Sequence, residues 1–203
     1  MRRPSQEPPT QSDFDFLLDE SVKLHGHICP GQVLGVRMSM LGLWAVGISD
    51  PKGRDRKNLI VFVETDRCAT DAVQSVTGCS LGRRTMKFMD YGKMAATFVN
   101  LASNQAIRIF ARDESRALAK AYFPEIENKY QAQLEAYKIM SDEELFSVSQ
   151  VRVRLRPEDM PGRPMRRVQC VLCGEQVQDG REQHRDGMTL CSPCADGGYY
   201  EWV

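Results

Sequence analysis

Four of the seven cysteines in this sequence form two closely spaced pairs near the end of the chain. The pairs, Cys170-x-x-Cys173 and Cys191-x-x-Cys194, are separated by 17 residues. A CxxC turn brings two thiolates to one ion, and two such turns complete the tetrahedron of a structural zinc site. We expect zinc binding to supply most of the folding free energy of so small a unit, on the order of 10 kcal/mol. Two disulfides, or thiols without a ligand, are the alternative.

A second group of reactive side chains lies near the N-terminus, in residues 25–30 (HGHICP). Two of the three histidines in the chain, His25 and His27, lie beside Cys29. Pro30 suits the first position of a helix, so the positive end of the helix dipole favours the thiolate form of Cys29. A nucleophile or a metal ligand would benefit from that position. The alternative is a structural cysteine buried in a capped turn.

The segment 64–71 (ETDRCATD) supplies further candidates, because it leaves a predicted strand and enters a predicted helix. Functional side chains often gather where strands lead into helices. Cys68 lies at this junction, and Asp71 follows it by about one helical turn, where it can orient a histidine or bind a metal. Cys79 follows the same short helix. We therefore expect Cys68 and Cys79 to face a common cavity.

Hydrophobic periodicity predicts the elements that position these residues. Helices are predicted after an N-cap at Ser12 to about Gly26, and over residues 30–46, 69–76, 113–122 and 126–140, with a capping box at Ser141. Strands are predicted over residues 58–65, 85–89, 94–100, 106–111 and 148–155. The helix over 30–46 is apolar around most of its circumference and is predicted to be central and buried. This order indicates an α+β fold with a mixed or antiparallel sheet and a helical layer.

Composition suggests how the chain is divided. Residues 1–12 are rich in Pro, Gln and Ser and are predicted to be a disordered lead-in to a core domain over 13–155. Residues 156–168 contain three prolines and are predicted to be a linker to a small zinc-ribbon-like domain over 169–203. No signal peptide or membrane span is predicted, and unpaired thiols favour a reducing cytoplasm. Lys+Arg and Asp+Glu both number 27, so the overall charge does not indicate a nucleic-acid partner.

Three segments, HGHICPGQVLGVRM, ETDRCATDAVQSVTGCSLG and DYGKMAATFVN, resemble in order the FmdE family, which is named after formylmethanofuran dehydrogenase. The resemblance covers about residues 14–155, and a four-cysteine zinc module also occurs in that family. It implies an α+β core with a mixed sheet, homodimers, and a cleft lined by a histidine and cysteines. The matching positions here are His27, Cys29 and Cys68, with His25, Asp71 and Cys79 nearby. One departure is Arg83-Arg84, where the family commonly has small residues, and these arginines would fill part of the cleft or bind an anion.

Three functions are compatible with these residues. In the favoured one, His27, Cys29 and Cys68 bind a zinc or iron ion with an open position, for catalysis or delivery, in molybdenum or tungsten formylmethanofuran dehydrogenase-type metabolism. In the second, the chain is a thiol enzyme with Cys29 as nucleophile and His27 as base. In the third, it is a non-catalytic accessory protein for a molybdo- or tungsto-enzyme. A nucleic-acid partner is not expected, because acidic residues closely follow the basic cluster at residues 163–167.

Overall fold

The computed structural model describes residues 7–201 and residue 203. The chain divides into two compact units, Met1–Val153 and Arg154–Val203. Half of the predicted lead-in, residues 1–6, lies outside the described residues. No helix in the described part of the chain has both the length and the apolar character that a membrane span requires.

The first unit contains six helices in its described residues. They are α1 (Gln11–His25), α2 (Pro30–Ala45), α3 (Cys68–Thr77), α4 (Glu114–Tyr122), α5 (Lys129–Ile139) and α6 (Asp142–Leu145). Thr10, rather than the predicted Ser12, caps α1, because its hydroxyl accepts from the Asp13 N–H and the Asp13 carboxylate accepts from the Thr10 N–H. The predicted capping box at Ser141 is confirmed at the start of α6.

Five strands of the first unit form one sheet. They are β1 (Leu59–Val63), β2 (Met86–Phe88), β3 (Ala95–Asn100), β4 (Gln105–Ala111) and β5 (Phe146–Gln150), in the order β2-β1-β3-β4-β5. The β1–β2 pair is parallel and the other three pairs are antiparallel, so the predicted mixed sheet is confirmed. The predicted strand over 148–155 was too long. Pairing of β5 ends where Gln150 meets Ile107, because β4 offers only two more residues beyond that point.

The central helix α2 packs against β3 and β4 on one face of the sheet. Its residues Val33 and Val36 are fully buried, which confirms the prediction of a central helix. Contact with the sheet is close at Gly42, where an added Cβ would lie 2.3 Å from the ring of Phe98. The other large helices pack around α2 and complete the helical layer. Sheet and helices together form the predicted α+β architecture.

The second unit contains two short hairpins and one short helix in its described residues. The strands are β6 (Arg167–Gln169), β7 (Gln176–Gln178), β8 (Gln183–Arg185) and β9 (Met188–Leu190), and the helix is α7 (Ser192–Asp196). Asp186 and Gly187 turn between β8 and β9 with φ of 50° and 77°, the left-handed conformation that a two-residue hairpin turn requires. A single 3-10 turn, Pro157–Asp159, precedes the hairpins. The unit fits the predicted zinc-ribbon-like module.

Candidate functional site

Two glycines of α2 bring its N-terminal end close to that of α3. A Cβ on Gly31 would lie 2.9 Å from the Cβ of Cys68 and 3.7 Å from the Sγ of Cys29. A Cβ on Gly35 would lie 2.6 Å from the carbonyl oxygen of Ala69. Real Cβ atoms do not approach other atoms so closely, so the two helices reach this separation because both positions are glycine. Cys29 and Cys68 are therefore held next to each other at neighbouring helix N-termini.

His25, His27 and Cys29 form a cluster between α1 and α2. Each offers one ligand atom, and these atoms all lie within 4.8 Å of one another. Gly26 ends α1 with φ of 91°, a left-handed conformation that favours glycine, and this turn places the rings of His25 and His27 4.5 Å apart. Cys29 is the N-cap of α2 and Pro30 is the first helical residue, as the sequence predicts. The structure thus adds His25 to the predicted pair of His27 and Cys29.

The two ring nitrogens of His25 have different surroundings. Nδ1 lies 2.8 Å from the Oδ2 of Asp71, a residue in the first turn of α3. Nε2 is buried and has no hydrogen-bond partner among the described residues. A buried polar atom without a partner is costly, by about 1–3 kcal/mol. A carboxylate on one nitrogen and no protein partner on the other are the arrangement of a histidine metal ligand, so the residues present fit a metal ion.

Cys68 borders this cluster without joining it fully. It is not among the three residues whose ligand atoms all lie within 4.8 Å of one another. Its thiol nevertheless contacts that of Cys29, because burial and then a hydrogen bond with the Cys29 thiol raise the pKa of Cys68. The structure therefore brings three of the predicted residues and His25 to one place, with Cys68 reaching the others through Cys29.

Sequence reasoning missed Gln32, a fully buried side chain that connects the three helices at the cluster. Its amide nitrogen donates to the carbonyl oxygen of Cys68, and its amide oxygen accepts from the hydroxyl of Ser21 in α1. Gln32 comes three residues after Cys29, inside an otherwise apolar helix. A lone polar residue on the buried face of such a helix is the signal that could have identified it, since buried amides require partners.

The prediction that Cys79 shares a cavity with Cys68 was wrong. Cys68 begins α3, while Cys79 follows the Gly78 that ends it, and a helix of this length separates its ends by about 15 Å. Cys79 is buried in the hydrophobic core, where burial raises the pKa of its thiol. Arg83 lies at the same far end of α3 and donates to the carbonyl oxygen of Gly78. The arginine pair of residues 83–84 therefore does not fill the His/Cys cluster.

The four C-terminal cysteines form a second, separate group. Their sulfur atoms all lie within 4.8 Å of one another, and Cys173 Sγ lies 3.7 Å from Cys191 Sγ. A tetrahedron of sulfur atoms about 2.3 Å from a central ion has edges of about 3.8 Å. Cys170 and Cys173 flank the turn after β6, and Cys191 and Cys194 flank the first turn of α7. This group can hold a metal ion.

The thiol pKa values in this group show that the cluster needs a cation. Backbone N–H groups of Cys173, Cys191 and Leu172 lower the pKa of Cys170 to about 6. The pKa of Cys194 is raised to about 12, first by its hydrogen bond with Cys191, then by burial and by the other two thiols. One thiolate forms readily, and further negative charge is opposed by its neighbours. A bound metal ion would remove this opposition and deprotonate all four thiols.

Comparison with known proteins supports this assignment of elements. The chain is 31% identical over 226 residues to a protein of Archaeoglobus fulgidus named "Probable S-adenosyl-L-methionine-binding protein". The match covers 98% of this chain but only 57% of that protein. Among solved structures, an FmdE-like protein of the tungsten formylmethanofuran dehydrogenase type, from Syntrophus aciditrophicus, has a TM-score of 0.60 and 19% sequence identity. It covers 97% of this chain and 100% of its own, so the two share a fold.

A family model identifies the chain more directly. The model described as "FmdE, Molybdenum formylmethanofuran dehydrogenase operon" matches residues 24–147. The match begins just before the His/Cys cluster and ends within β5, so it includes every residue of the cluster, Cys68 and Asp71. It therefore covers more than half of the chain and nearly all of the sheet and helical layer. The chain belongs to the FmdE family.

Proposed function

We propose that this FmdE family member binds two metal ions, one in the His/Cys cluster of the core and one structural zinc ion in the four-cysteine group. In the core, His25, His27 and Cys29 are the ligands and Asp71 orients His25. The carrying observation is the buried Nε2 of His25, which has no hydrogen-bond partner in the described part of the chain while Asp71 holds Nδ1. Imidazole and thiolate together favour zinc or iron over magnesium or calcium.

Three protein ligands leave one position of a tetrahedral ion open. A metal ion bound there would supply a Lewis acid that polarises a carbonyl group or activates water. The protein's own part is to fix the ligands. Asp71 holds the ring of His25, Gln32 ties the helices together, and the Cys68 thiol supports Cys29. By family membership, we propose a role in molybdenum or tungsten formylmethanofuran dehydrogenase-type metabolism.

Metal delivery to a partner enzyme is the second candidate function. It is favoured by one observation, the exposure of His27, which lets a ligand of the core ion be replaced by a group on another protein. We propose a homodimer as the form of the protein and a reducing cytoplasm as its location, because all seven cysteines are free thiols. Binding of S-adenosylmethionine is not part of the proposal, since much of the relative with that name lies outside the match.

Metal content per chain tests the proposal. The full-length protein is purified without oxygen, and its metals are measured by mass spectrometry. We expect close to two ions in the native protein, with one lost in Cys29→Ser and the other lost in Cys191→Ser. The buried Cys79→Ala is the matched control and retains both. One ion in the native protein, unchanged in Cys29→Ser, would remove the core site, and Cys29 would then be tested as a nucleophile by alkylation.

A further inference from the structure

A cavity of about 770 Å³ opens at the end of the sheet where β1 and β4 finish and β3 begins. Its walls are residues 65–67 after β1, residues 92–94 before β3 and residues 110–113 at the end of β4. Cavities of about 300–1,000 Å³ are the usual size of small-molecule sites. The first wall ends at Arg67, one residue before Cys68, so the cavity adjoins the proposed metal centre along the chain.

The cavity has an apolar floor and a charged rim. Leu34 and Tyr137 are buried in the floor, and Phe110 is half-buried beside them. The rim carries four basic side chains and three aspartates. The basic side chains are Arg67, Lys93, Arg112 and Arg116. An apolar floor under a mainly basic rim suits a molecule with an apolar body and an acidic group.

The basic side chains of the rim are weakly engaged within the protein. The carboxylate partners of Arg67, Arg112 and Arg116 are adjacent in sequence or nearly so, at 3.6–3.8 Å. All the groups in these pairs are exposed, and such pairs contribute about 0–1 kcal/mol each. Lys93 makes no ion pair in residues 7–201, and its Nζ lies 5.9 Å from the centre of the Tyr91 ring. These cations can therefore turn to a bound anion at little cost.

Two helix N-termini add to the positive potential of the cavity. Arg67 is the N-cap of α3 and Asp113 is the N-cap of α4, and both line the cavity. Neither gives a side-chain hydrogen bond to its own helix. The first-turn N–H groups carry partial positive charge that a capping side chain would otherwise satisfy. Helix N-termini and basic side chains thus face the same space.

We propose that this cavity binds a small organic acid, with its carboxylate or phosphate at Lys93 and Arg112 and its apolar body on the floor. As the substrate site of the adjoining metal centre, the cavity rests on the proposed function. As a binding site for an oxyanion, it stands on its own residues.

Ligand-observed NMR titration of the full-length protein tests the binding. The probes are benzoate, phenyl phosphate and the neutral benzamide. We expect saturable binding of one or both anions at least tenfold tighter than that of benzamide. Lys93→Glu and Arg112→Glu should each weaken anion binding at least tenfold. Lys57→Glu, an exposed charge reversal at the other end of β1, should leave it unchanged. Tighter binding of phenyl phosphate assigns a phosphate ester, and tighter binding of benzoate assigns a carboxylic acid.

Repeating the titration on Cys29→Ser separates this proposal from the proposed function. Anion binding that survives in Cys29→Ser and is lost in Lys93→Glu supports the cavity even where no core metal is found. Binding that is lost in Cys29→Ser and unaffected by Lys93→Glu would place the anion on the metal and overturn the proposal. Equal affinity for benzamide and the anions, or no saturable binding of any probe, would overturn it as well.

Discussion

Gly35 of α2 provides a sharp test of how the core domain is held together. Alanine at this position would place its Cβ 2.6 Å from the carbonyl oxygen of Ala69 and 2.6 Å from the Cβ of Ala72. Ordinary contacts between carbon atoms lie at about 3.5–4.0 Å. The new methyl group would therefore force α2 and α3 apart by roughly 1 Å, because neither neighbour is the end of a flexible side chain.

Two effects oppose each other in Gly35→Ala. Alanine is the better helix former, which would stabilise the folded state by about 1 kcal/mol. Overpacking a close contact costs about 1–3 kcal/mol, and the upper value applies where backbone atoms must move. We expect a net loss of about 2 kcal/mol in the free energy of unfolding. For a unit of about 150 residues this corresponds to a fall in Tm of roughly 4–8 °C.

Thermal and urea unfolding followed by circular dichroism measure this change. The matched control is Gly82→Ala, in a loop where φ is unstrained and a Cβ meets no atom within 4 Å. The control should leave stability unchanged or raise it by up to about 1 kcal/mol, through the unfolded chain. A Gly35→Ala variant as stable as the control would show that helix propensity outweighs packing here. The account of the close α2–α3 contact would then be wrong.

Three further predictions concern single side chains. Asp71→Asn should weaken metal binding in the core about 10–100-fold in chelator competition, because His25 loses its orienting carboxylate, whereas the exposed Asp66→Asn should not. Glu64→Gln should lower the free energy of unfolding by about 2 kcal/mol in urea titrations, because it breaks the bidentate pair of a buried Glu64 with a partly exposed Arg108, and the added Arg108→Met should recover part of the loss. Cys79 should resist iodoacetamide in the native protein at pH 8 and react after denaturation, as read by mass spectrometry, because burial raises its pKa.

Local signals made much of the fold predictable. Pro30 and Gly78 mark the start of α2 and the end of α3, and both boundaries lie within one residue of the prediction. Their effects are confined to one or two backbone torsions, so they do not depend on the rest of the molecule. The length of β5 was not predictable in this way. Alternation of valines continues to Leu155, but a strand can extend only as far as its partner β4 does.

The candidate site divides along the same line. Spacing alone indicated the four-cysteine group, because each CxxC pair is local and the chemistry of zinc fixes their number. The core cluster depends on residues from three helices, and the pairing of His25 with Asp71 joins positions 46 residues apart. No local pattern separates His25 from a surface histidine at the end of a helix. Only the packing of α1 against α3 supplies that information.

Packing and chemistry at this site have one cause. Gly31 leaves no room for a side chain between Cys29 and Cys68, and Gly35 repeats the close contact one turn later. The same approach that brings the two thiols together also places Asp71, one turn into α3, within reach of His25 at the end of α1. Separation of α2 from α3 would therefore affect every ligand at once, rather than one at a time. Gly31→Ala, which adds a methyl group 2.9 Å from the Cβ of Cys68, should lower core metal occupancy even though it replaces no ligand. Retained occupancy in that variant would show that the cluster is assembled by the His25–Gly26–His27 turn alone.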